Sequence, residues 1–545
     1  MKSKLWLTLS LVCSLGTVPL LSVNAAPAPD MHVAKYKDNS TPYPLYAAEF
    51  GTDPLWTAAE LELLGKNFDG IFGNPNISMS MANTLRSHYA PFKINQYNGK
   101  WAVNGTTADY IENNKKEVLY YRVGNSSASI TATQTTFSLN DVFGSLIPST
   151  SNTWNSNFDS NGEFKFVTWL LIGDELMKIQ SVSGNTVTVI RGIHSTVPKS
   201  YPAGTPILSP VYGAAPVAGM TSEVQYRLDE GTNVRWDLLL SAALAEYDKN
   251  RGGIWIDILI GNLSQFAQSG QTVPSNRIWD IRNQSVYNDE VRAENVERGI
   301  VRIQEQFKAQ KGVYPVIWGN NLLHPTTLTD QRVKMLLSTS IKPRPIDGFA
   351  MENSYGGYGT GGNSGTEFWF KDYTGWKNNL KSIMFMGENK LAALPLMLDG
   401  GQDNKTFAAL PAAERRRILL YGYASYLLGV KVEPDNKIYT KIGFTPLVNP
   451  GTGPAYLYLE PMFTWDIGKP TQTLSSSNYS NYKLSGREVW VRTFQNGIVI
   501  VNPSENAENN VSVSSYGSLR DPEQGNISVT SVSLPSKTAK ILLFN

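Results

Sequence analysis

The stretch Ile-Asp-Gly-Phe-Ala-Met-Glu-Asn-Ser-Tyr, residues 346–355, is the part of the sequence from which the fold can be inferred. It is a short apolar strand pattern, with Lys-Pro-Arg-Pro before it and a glycine-rich run, residues 356–362, after it. We expect this strand to end on Glu352 and to deliver its carboxylate to a loop. An acid at the carboxyl end of a buried parallel strand is costly to place and usually takes part in chemistry.

Two further stretches have the same design. Residues 253–259, Gly-Ile-Trp-Ile-Asp-Ile-Leu, form an apolar run that carries Asp257. Residues 392–398 form another, which Asp399 follows directly. Three acids at the ends of predicted strands are therefore the main functional signal of this sequence.

Apolar strand patterns alternate with amphipathic helix patterns along most of the chain. The eight predicted strands begin near residues 43, 68, 92, 253, 314, 346, 392 and 430. Strands that alternate with helices indicate parallel βα units. Eight such units in one series predict an α/β fold, a (β/α)₈ TIM barrel over residues 40–470, with active residues at the carboxyl ends of the strands.

Two regions depart from this alternation. Residues 118–210 contain short alternating segments rich in Thr, Ser, Val and Asn, with a hairpin pattern at 173–192, and predict an all-β module inserted in a barrel loop. Such a module could shape a substrate cleft or serve assembly. Residues 471–545 have further strand patterns separated by Asn, Ser and Gly turns, and predict a C-terminal β-sandwich domain.

The amino-terminal residues have the pattern of a secretory signal peptide. Lys2 and Lys4 precede an apolar run to about residue 23, and small residues follow it. We expect residues 1–26 to be a signal peptide, and the protein to be secreted or periplasmic. No other apolar run is long enough to span a membrane.

Composition argues against several partners and cofactors. The net charge is +2, with 17% charged and 11% aromatic residues, so nothing attracts nucleic acid. The single cysteine, Cys13, lies in the predicted signal peptide, and the four histidines are scattered without metal-ligand spacing. We therefore expect no metal and no other cofactor. Carboxylates are the remaining candidates for catalytic groups, and two of them are enough to cleave a glycosidic bond.

At these positions the chain resembles secreted glycoside hydrolases. Residues 346–353 are similar to the Asp-Gly-x-x-x-Glu strand end of several (β/α)₈ glycosidases, and residues 252–259 to their acid-bearing fourth strand. Residues 465–470 and 489–504 are similar to the barrel end and β domain of uncharacterised glycosyl hydrolase-like proteins. The similarity to retaining barrels of the α-galactosidase and α-glucosidase type implies that Asp257 is the nucleophile and Glu352 the acid/base, although those barrels usually have Asp at the sixth strand.

Other polar and aromatic residues near the predicted strand ends are candidates for carbohydrate binding: Glu49, Asn74, Gln96, Trp318, Asn320, Tyr355 and Asp399. The aromatic ones could stack on sugar rings, although a barrel tryptophan is often a core residue. Asp69 and Asp347, each before a glycine, are expected to be structural.

Two other functions are compatible with this pattern. The first is a non-catalytic carbohydrate-binding protein on a degenerate TIM barrel, in which Asp257 and Glu352 would be too far apart or covered. The second is a metal-dependent deacetylase or esterase, which bound zinc would reveal. A separation of about 5 to 9.5 Å between the two carboxylates across an open cleft would favour the hydrolase.

Overall fold

The computed structural model describes most of the chain after residue 33. The described residues are 34–35, 42–49, 56–73, 77–98, 102–104, 115–142, 169–193, 195–210, 225–248, 253–256, 275–320, 346–351, 354–358, 368–397, 410–444, 447–448, 456–457, 459–472 and 474–545. The predicted signal peptide lies outside them.

Eight parallel strands form a closed barrel in chain order. They are Leu45–Glu49, Gly70–Gly73, Lys93–Asn98, Gly253–Ile256, Val316–Asn320, Gly348–Met351, Ala392–Met397 and Ile442–Phe444. The first strand pairs with both the second and the eighth, so the sheet closes on itself. The predicted (β/α)₈ barrel is confirmed.

Six α-helices are present among the described residues: α1 (Ala58–Asn67), α2 (Met79–His88), α3 (Val234–Asp248), α4 (Asp289–Lys311), α5 (Tyr373–Glu388) and α6 (Ala412–Gly429). Local sequence explains several boundaries. Thr57 and Glu60 form a reciprocal capping box at the start of α1. Asn288 caps α4, which ends at Gly312 in the left-handed conformation that glycine adopts readily.

The prediction that the eighth strand begins near Val430 was wrong. Val430 is the C-cap of α6, and its N–H donates to Tyr426 O. The eighth strand is Ile442–Phe444. The error arose because helix α6 is buried on all sides over its last twelve residues, Ile418 to Gly429, and a helix without a polar face cannot be separated from a following strand by apolar periodicity.

An Asp-Gly pair starts the second and the sixth strands, and each aspartate ties its strand to the preceding one. The Asp69 N–H donates to Leu45 O at 2.8 Å, and the Leu45 N–H donates to Asp69 Oδ2 at 3.1 Å. The Asp347 N–H donates to Ile317 O at 2.8 Å, and the Ile317 N–H donates to Asp347 Oδ2 at 2.7 Å. Both aspartates thus have the structural role expected for them: they set strand register.

The glycines of these pairs make room for aromatic rings inside the barrel. A Cβ on Gly70 would lie 2.6 Å from the Tyr46 ring, and one on Gly348 would lie 2.9 Å from the Trp318 ring. The interior is a packed core, as expected for a barrel of eight strands. Its hydrophobic members are Tyr46, Phe72, Trp255, Val316, Trp318, Ala350, Ala392 and Leu394.

The inserted module is a second, smaller barrel. Six antiparallel strands close on themselves: Tyr120–Ser126, Thr136–Asn140, Trp169–Ile172, Glu175–Ser183, Thr186–Ile190 and Pro206–Pro210. Two strands from beyond the predicted module, Ile278–Asp280 and Ser285–Val286, extend this sheet beside its first strand. The sheet of the module therefore contains strands from two parts of the chain. Six strands come between the third and fourth barrel strands, and two come after the fourth.

A buried ionic cluster joins the module to the helices beneath it. Glu230 Oε1 accepts from Arg235 Nη1 at 2.9 Å, and from Arg292 Nε at 3.2 Å and Nη2 at 2.9 Å. All three residues are buried, with Arg235 in the first turn of α3 and Arg292 in the first turn of α4. Asp229, next to Glu230, pairs with Arg282 just beyond the module strand Ile278–Asp280. The module thus contacts, through Arg282 and Asp229, the chain segment whose next residue joins the first turns of α3 and α4.

The C-terminal region is a sandwich of two antiparallel sheets. The larger contains, in spatial order, Trp490–Phe494, Gly497–Asn502, Thr538–Phe544, Leu519–Asp521 and Ile527–Val529; the smaller pairs Glu508–Ser512 with Ser531–Leu534. The strand Gly497–Asn502 is buried on both faces. Ile498 and Ile500 enter the sandwich core, whereas Val499 and Val501 join the core shared with the barrel helices.

Short pairings complete the described structure. They join Ala34–Lys35 to Lys437–Ile438, Ala102–Asn104 to Gln225–Arg227, Gly356–Tyr358 to Phe368–Phe370, and Leu447–Val448 to Tyr456–Leu457. None of the helices in the described ranges is long and apolar enough to cross a membrane.

Arg492 connects the C-terminal domain to the end of α6. Its Nη1 donates to Leu427 O at 2.8 Å, to Leu428 O at 3.0 Å and to Val430 O at 2.7 Å. These carbonyls end a helix and have no partner within it, and a cation at a helix C-terminus is favourable. Burial lowers the pKa of the Arg492 guanidinium, while the nearby tyrosine Tyr482 opposes that shift.

We predict that Arg492→Met lowers the free energy of unfolding by about 3 kcal/mol, because three buried carbonyls lose a charged donor. Urea unfolding at neutral pH measures this change. Arg487→Met is the matched control, since Arg487 makes a partly exposed ion pair with Glu508 that is worth about 1 kcal/mol at most. Equal losses in the two variants would contradict the prediction.

Candidate active site

The carboxyl ends of the eight barrel strands lie on one rim because all eight strands are parallel. In chain order these strands end at Glu49, Gly73, Asn98, Ile256, Asn320, Met351, Met397 and Phe444. In TIM-barrel enzymes the catalytic side chains lie at, or just beyond, the carboxyl ends of the strands.

Most of the predicted site residues belong to this rim by their place in the chain. Glu49 and Asn320 are the last residues of the first and fifth strands. Asn74, Asp257 and Glu352 each follow directly the last residue of a strand, and Asp399 follows Met397 after one residue. These last four lie outside the described residues, so their catalytic and binding roles stay predictions.

Gln96 does not fit the substrate contact predicted for it. It shares a strand face with Ile94, which packs in the core between the barrel and its helices. Its neighbour Asn95 has the opposite orientation: Asn95 Oδ1 lies 2.7 Å from where a Cβ on Gly253 would be, beside the interior residue Val316. Asn95, 3% exposed, is thus a polar side chain that the third strand directs into the barrel.

Trp318 is a core residue in this structure. Its side chain is 1% exposed, and its ring centroid lies 6.1 Å from that of Phe72. The stacking on a sugar that we expected for Trp318 requires an open ring face, and the barrel interior covers both. The pattern that suggested a role in binding, a tryptophan near a strand end, is here the pattern of interior packing.

Tyr355 also lies away from solvent. It is fully buried, and its main-chain oxygen accepts from the Lys371 N–H at 3.0 Å. None of the described residues lies within hydrogen-bond distance of its hydroxyl. Burial raises the pKa of this hydroxyl well above its usual value. Tyr355 therefore has no ring face available for a sugar, contrary to the prediction.

Sequence reasoning missed a buried lysine at the opposite end of the barrel. Lys441 immediately precedes the eighth strand and is fully buried, with Nζ 5.7 Å from the Tyr46 ring centroid and 5.4 Å from that of Trp318. Burial, together with the nearby Lys93, lowers the pKa of Lys441 to about 7, whereas Asp69 opposes this shift. Nothing local distinguishes Lys441 from a surface lysine, so no sequence signal identified it.

The amino-terminal end of a barrel serves stability in known TIM-barrel enzymes, so we interpret Lys441 as structural. Within the described ranges, no three His, Asp, Glu or Cys side chains lie close enough together to hold a metal ion.

No protein-family model and no curated protein matches this chain. Solved structures with a similar fold include the trehalose-6-phosphate hydrolase of Bacillus licheniformis, at 8% identity over 92% of this chain and 98% of that one, with a TM-score of 0.41. Amy13B of Eubacterium rectale is 10% identical over 93% of this chain and 97% of that one, with a TM-score of 0.40.

The glycoside hydrolase domain of PelA from Pseudomonas aeruginosa is 10% identical over 73% of this chain and 94% of that one, with a TM-score of 0.33. At identities of 8–10% these likenesses concern the fold alone.

We predict that Lys441 makes the free energy of unfolding rise with pH between about 7 and 10. Its pKa is about 7 when folded and about 10.4 when unfolded, so in this window the unfolded chain binds more protons and higher pH stabilises the fold. Below about pH 7 both states are protonated, and the contribution becomes constant.

Lys441→Met should remove up to about 1.4 kcal/mol per pH unit of that rise. Urea unfolding at several pH values in this window measures it. Lys437→Met, which removes a partly exposed lysine paired with Asp435, is the control and should keep the wild-type slope. An unchanged slope in Lys441→Met would show that Lys441 is not the group responsible.

Proposed function

We propose that this protein is a secreted or periplasmic glycoside hydrolase that cleaves poly- or oligosaccharides with two carboxylates, Asp257 and Glu352. The observation that carries this proposal is the position of these acids relative to the closed parallel barrel. One directly follows the fourth strand and the other directly follows the sixth, where a barrel offers groups for catalysis.

Strand alternation supports a common direction for the two acids. Trp255 in the fourth strand and Ala350 in the sixth both belong to the barrel interior. Asp257 and Glu352 come two residues later in their respective chains, and residues two apart in a strand share a face. If this alternation continues by one step, both carboxylates point toward the barrel axis.

Strand spacing supports a suitable separation. The fifth strand lies between the fourth and the sixth, and neighbouring strands are about 4.8 Å apart, so the two main chains are roughly 10 Å apart. Side chains that converge toward the axis bring their carboxyl groups closer than that. The expected separation therefore falls in the range of about 5 to 9.5 Å used by glycosidases.

The two acids would have different roles. One protonates the leaving glycosidic oxygen, and the other attacks the anomeric carbon or activates a water molecule against it. We propose a retaining reaction, in which Asp257 forms the covalent glycosyl intermediate and Glu352 acts first as the acid and then as the base. The resemblance of the fourth and sixth strands to retaining glycosidases supports this order. No step needs a metal or another cofactor.

The other rim residues would bind the substrate. Glu49, Asn74, Asn320 and Asp399 are at, or within two residues of, strand ends. Carboxylates and amides can accept from or donate to several sugar hydroxyls at once. They would hold the sugar ring while the two acids act.

We predict that Asp257→Asn and Glu352→Gln each lower kcat/KM by at least about 10²-fold, because each removes a group required in the transition state. Hydrolysis of aryl glycosides and of a panel of polysaccharides measures the loss. The matched controls are Asp435→Asn and Glu62→Gln, which remove partly exposed carboxylates and should keep wild-type activity.

Circular dichroism and thermal unfolding of each variant establish that the fold is intact. Activity that survives both substitutions would refute the assignment of Asp257 and Glu352. Binding of a polysaccharide with no turnover of any substrate by the wild type would favour a non-catalytic carbohydrate-binding protein instead.

We also predict that the first product has the same anomeric configuration as the substrate, because a covalent intermediate requires two successive inversions. Proton NMR of the reaction mixture, recorded before mutarotation, distinguishes the two anomers. An inverted product would assign the water-activating role to one acid and would exclude the covalent intermediate.

A further inference from the structure

The outer face of the inserted module carries a small array of hydroxyl groups. Three adjacent strands form it: Thr136–Asn140, Thr186–Ile190 and Glu175–Ser183. In the first two strands the apolar residues Phe137, Leu139, Val187 and Val189 are buried, whereas the Thr and Ser residues between them are at least partly exposed. Ser181 and Ser183 of the third strand are exposed as well. We name as the hydroxyl face the six residues Thr136, Ser138, Ser181, Ser183, Thr186 and Thr188.

The strand register arranges these residues in two rows. Thr186 pairs with Ser138 on one side and with Ser183 on the other. Thr188 pairs with Thr136 on one side and with Ser181 on the other. Neighbouring hydroxyl residues in a row are therefore about 4.8 Å apart, and the rows are roughly 7 Å apart.

Hydrogen bonds within the rows orient the hydroxyl groups but leave some of their donor and acceptor sites available. Ser138 Oγ lies 2.9 Å from Thr186 Oγ1, and Thr136 Oγ1 lies 3.1 Å from Thr188 Oγ1. A hydroxyl offers one donor and two acceptor sites. In each pair one donor and one acceptor are used, so each pair keeps another donor and further acceptor sites for a ligand. Sugar hydroxyls also donate and accept, and they can complement such a surface.

The composition of the face indicates its occupant. None of the six residues is charged, whereas an anionic polymer would require basic residues. The next row contains Ile190, 43% exposed, opposite Lys178. A neutral carbohydrate chain is therefore the partner that matches both the charge and the hydrogen-bonding groups of the face.

The position of the module makes such binding useful. Its strands follow the third barrel strand, and its extension follows the fourth, beyond Asp257. The ion pair of Arg282, between the two added module strands, with Asp229 links the module to the segment that precedes α3. A carbohydrate held on the hydroxyl face would thus stay attached to the barrel through the module.

We infer that the hydroxyl face is a secondary binding site for a neutral polysaccharide, separate from the catalytic rim. The benefit to polymer hydrolysis rests on the proposed function, whereas binding itself does not. Thr→Val keeps side-chain shape and strand preference but removes the hydroxyl. The test is therefore the full chain with Thr136→Val, Thr186→Val and Thr188→Val combined.

The matched control combines Thr471→Val and Thr493→Val. These two threonines form a pair of exposed hydroxyls 2.6 Å apart in the C-terminal region, away from the module. Affinity electrophoresis through gels that contain dextran, starch, galactomannan or arabinan measures binding, with alginate as the anionic comparison. Aryl glycoside hydrolysis is measured in parallel, and sedimentation gives the oligomeric state.

We expect at least one neutral gel to retard the wild type and the control, and the triple variant to bind that polysaccharide at least tenfold more weakly with unchanged aryl glycoside hydrolysis. Equal retardation of wild type and triple variant, or no retardation in any neutral gel, would overturn the inference. So would retardation in alginate alone, or a wild-type dimer that the triple substitution dissociates. Face-dependent retardation without hydrolysis of any substrate would support the binding site and refute the proposed function.

Discussion

Closure of the parallel barrel is the constraint on which the rest of this structure depends. Hydrogen bonds between the first and eighth strands remove the sheet edges, and the enclosed space must then be filled by side chains. Large rings from the first, second, fourth and fifth strands fill it, as in the contact between Phe72 and Trp255 with centroids 4.3 Å apart. Glycines provide the room that these rings require.

Closure also separates the two ends of the barrel by role. Asp69 and Asp347 precede their strands and accept hydrogen bonds from neighbouring main-chain N–H groups, so they set register. Lys441 lies at the same end, among aromatic rings. The acids that we propose for catalysis instead follow their strands. Under this proposal a carboxylate before a strand and a carboxylate after a strand have different roles, although both occur in the single segment 346–355.

Buried arginines lie near the places where the two other β structures meet the barrel helices. Arg235 and Arg292 converge on Glu230 below the module, and Arg492 of the C-terminal domain reaches the carbonyls that end α6. Planar guanidinium groups have five donors in a fixed geometry, which suits contacts with several acceptors at once. Arg492 uses a helix end, where the backbone leaves carbonyl groups unsatisfied, whereas Arg235 and Arg292 bind a buried carboxylate.

The sequence by itself determined the barrel, the order of its strands and helices, the C-terminal sandwich, and the presence of acids after the fourth and sixth strands. These depend on local periodicity, which a chain shows directly. Tertiary structure alone decided that the eighth strand is Ile442–Phe444, that Gln96 faces the helices, and that Trp318, Tyr355 and Lys441 are buried. The reason is physical. Whether a side chain at a strand end meets solvent, a helix or another ring depends on strands distant in sequence, and only closure of the sheet brings those strands together.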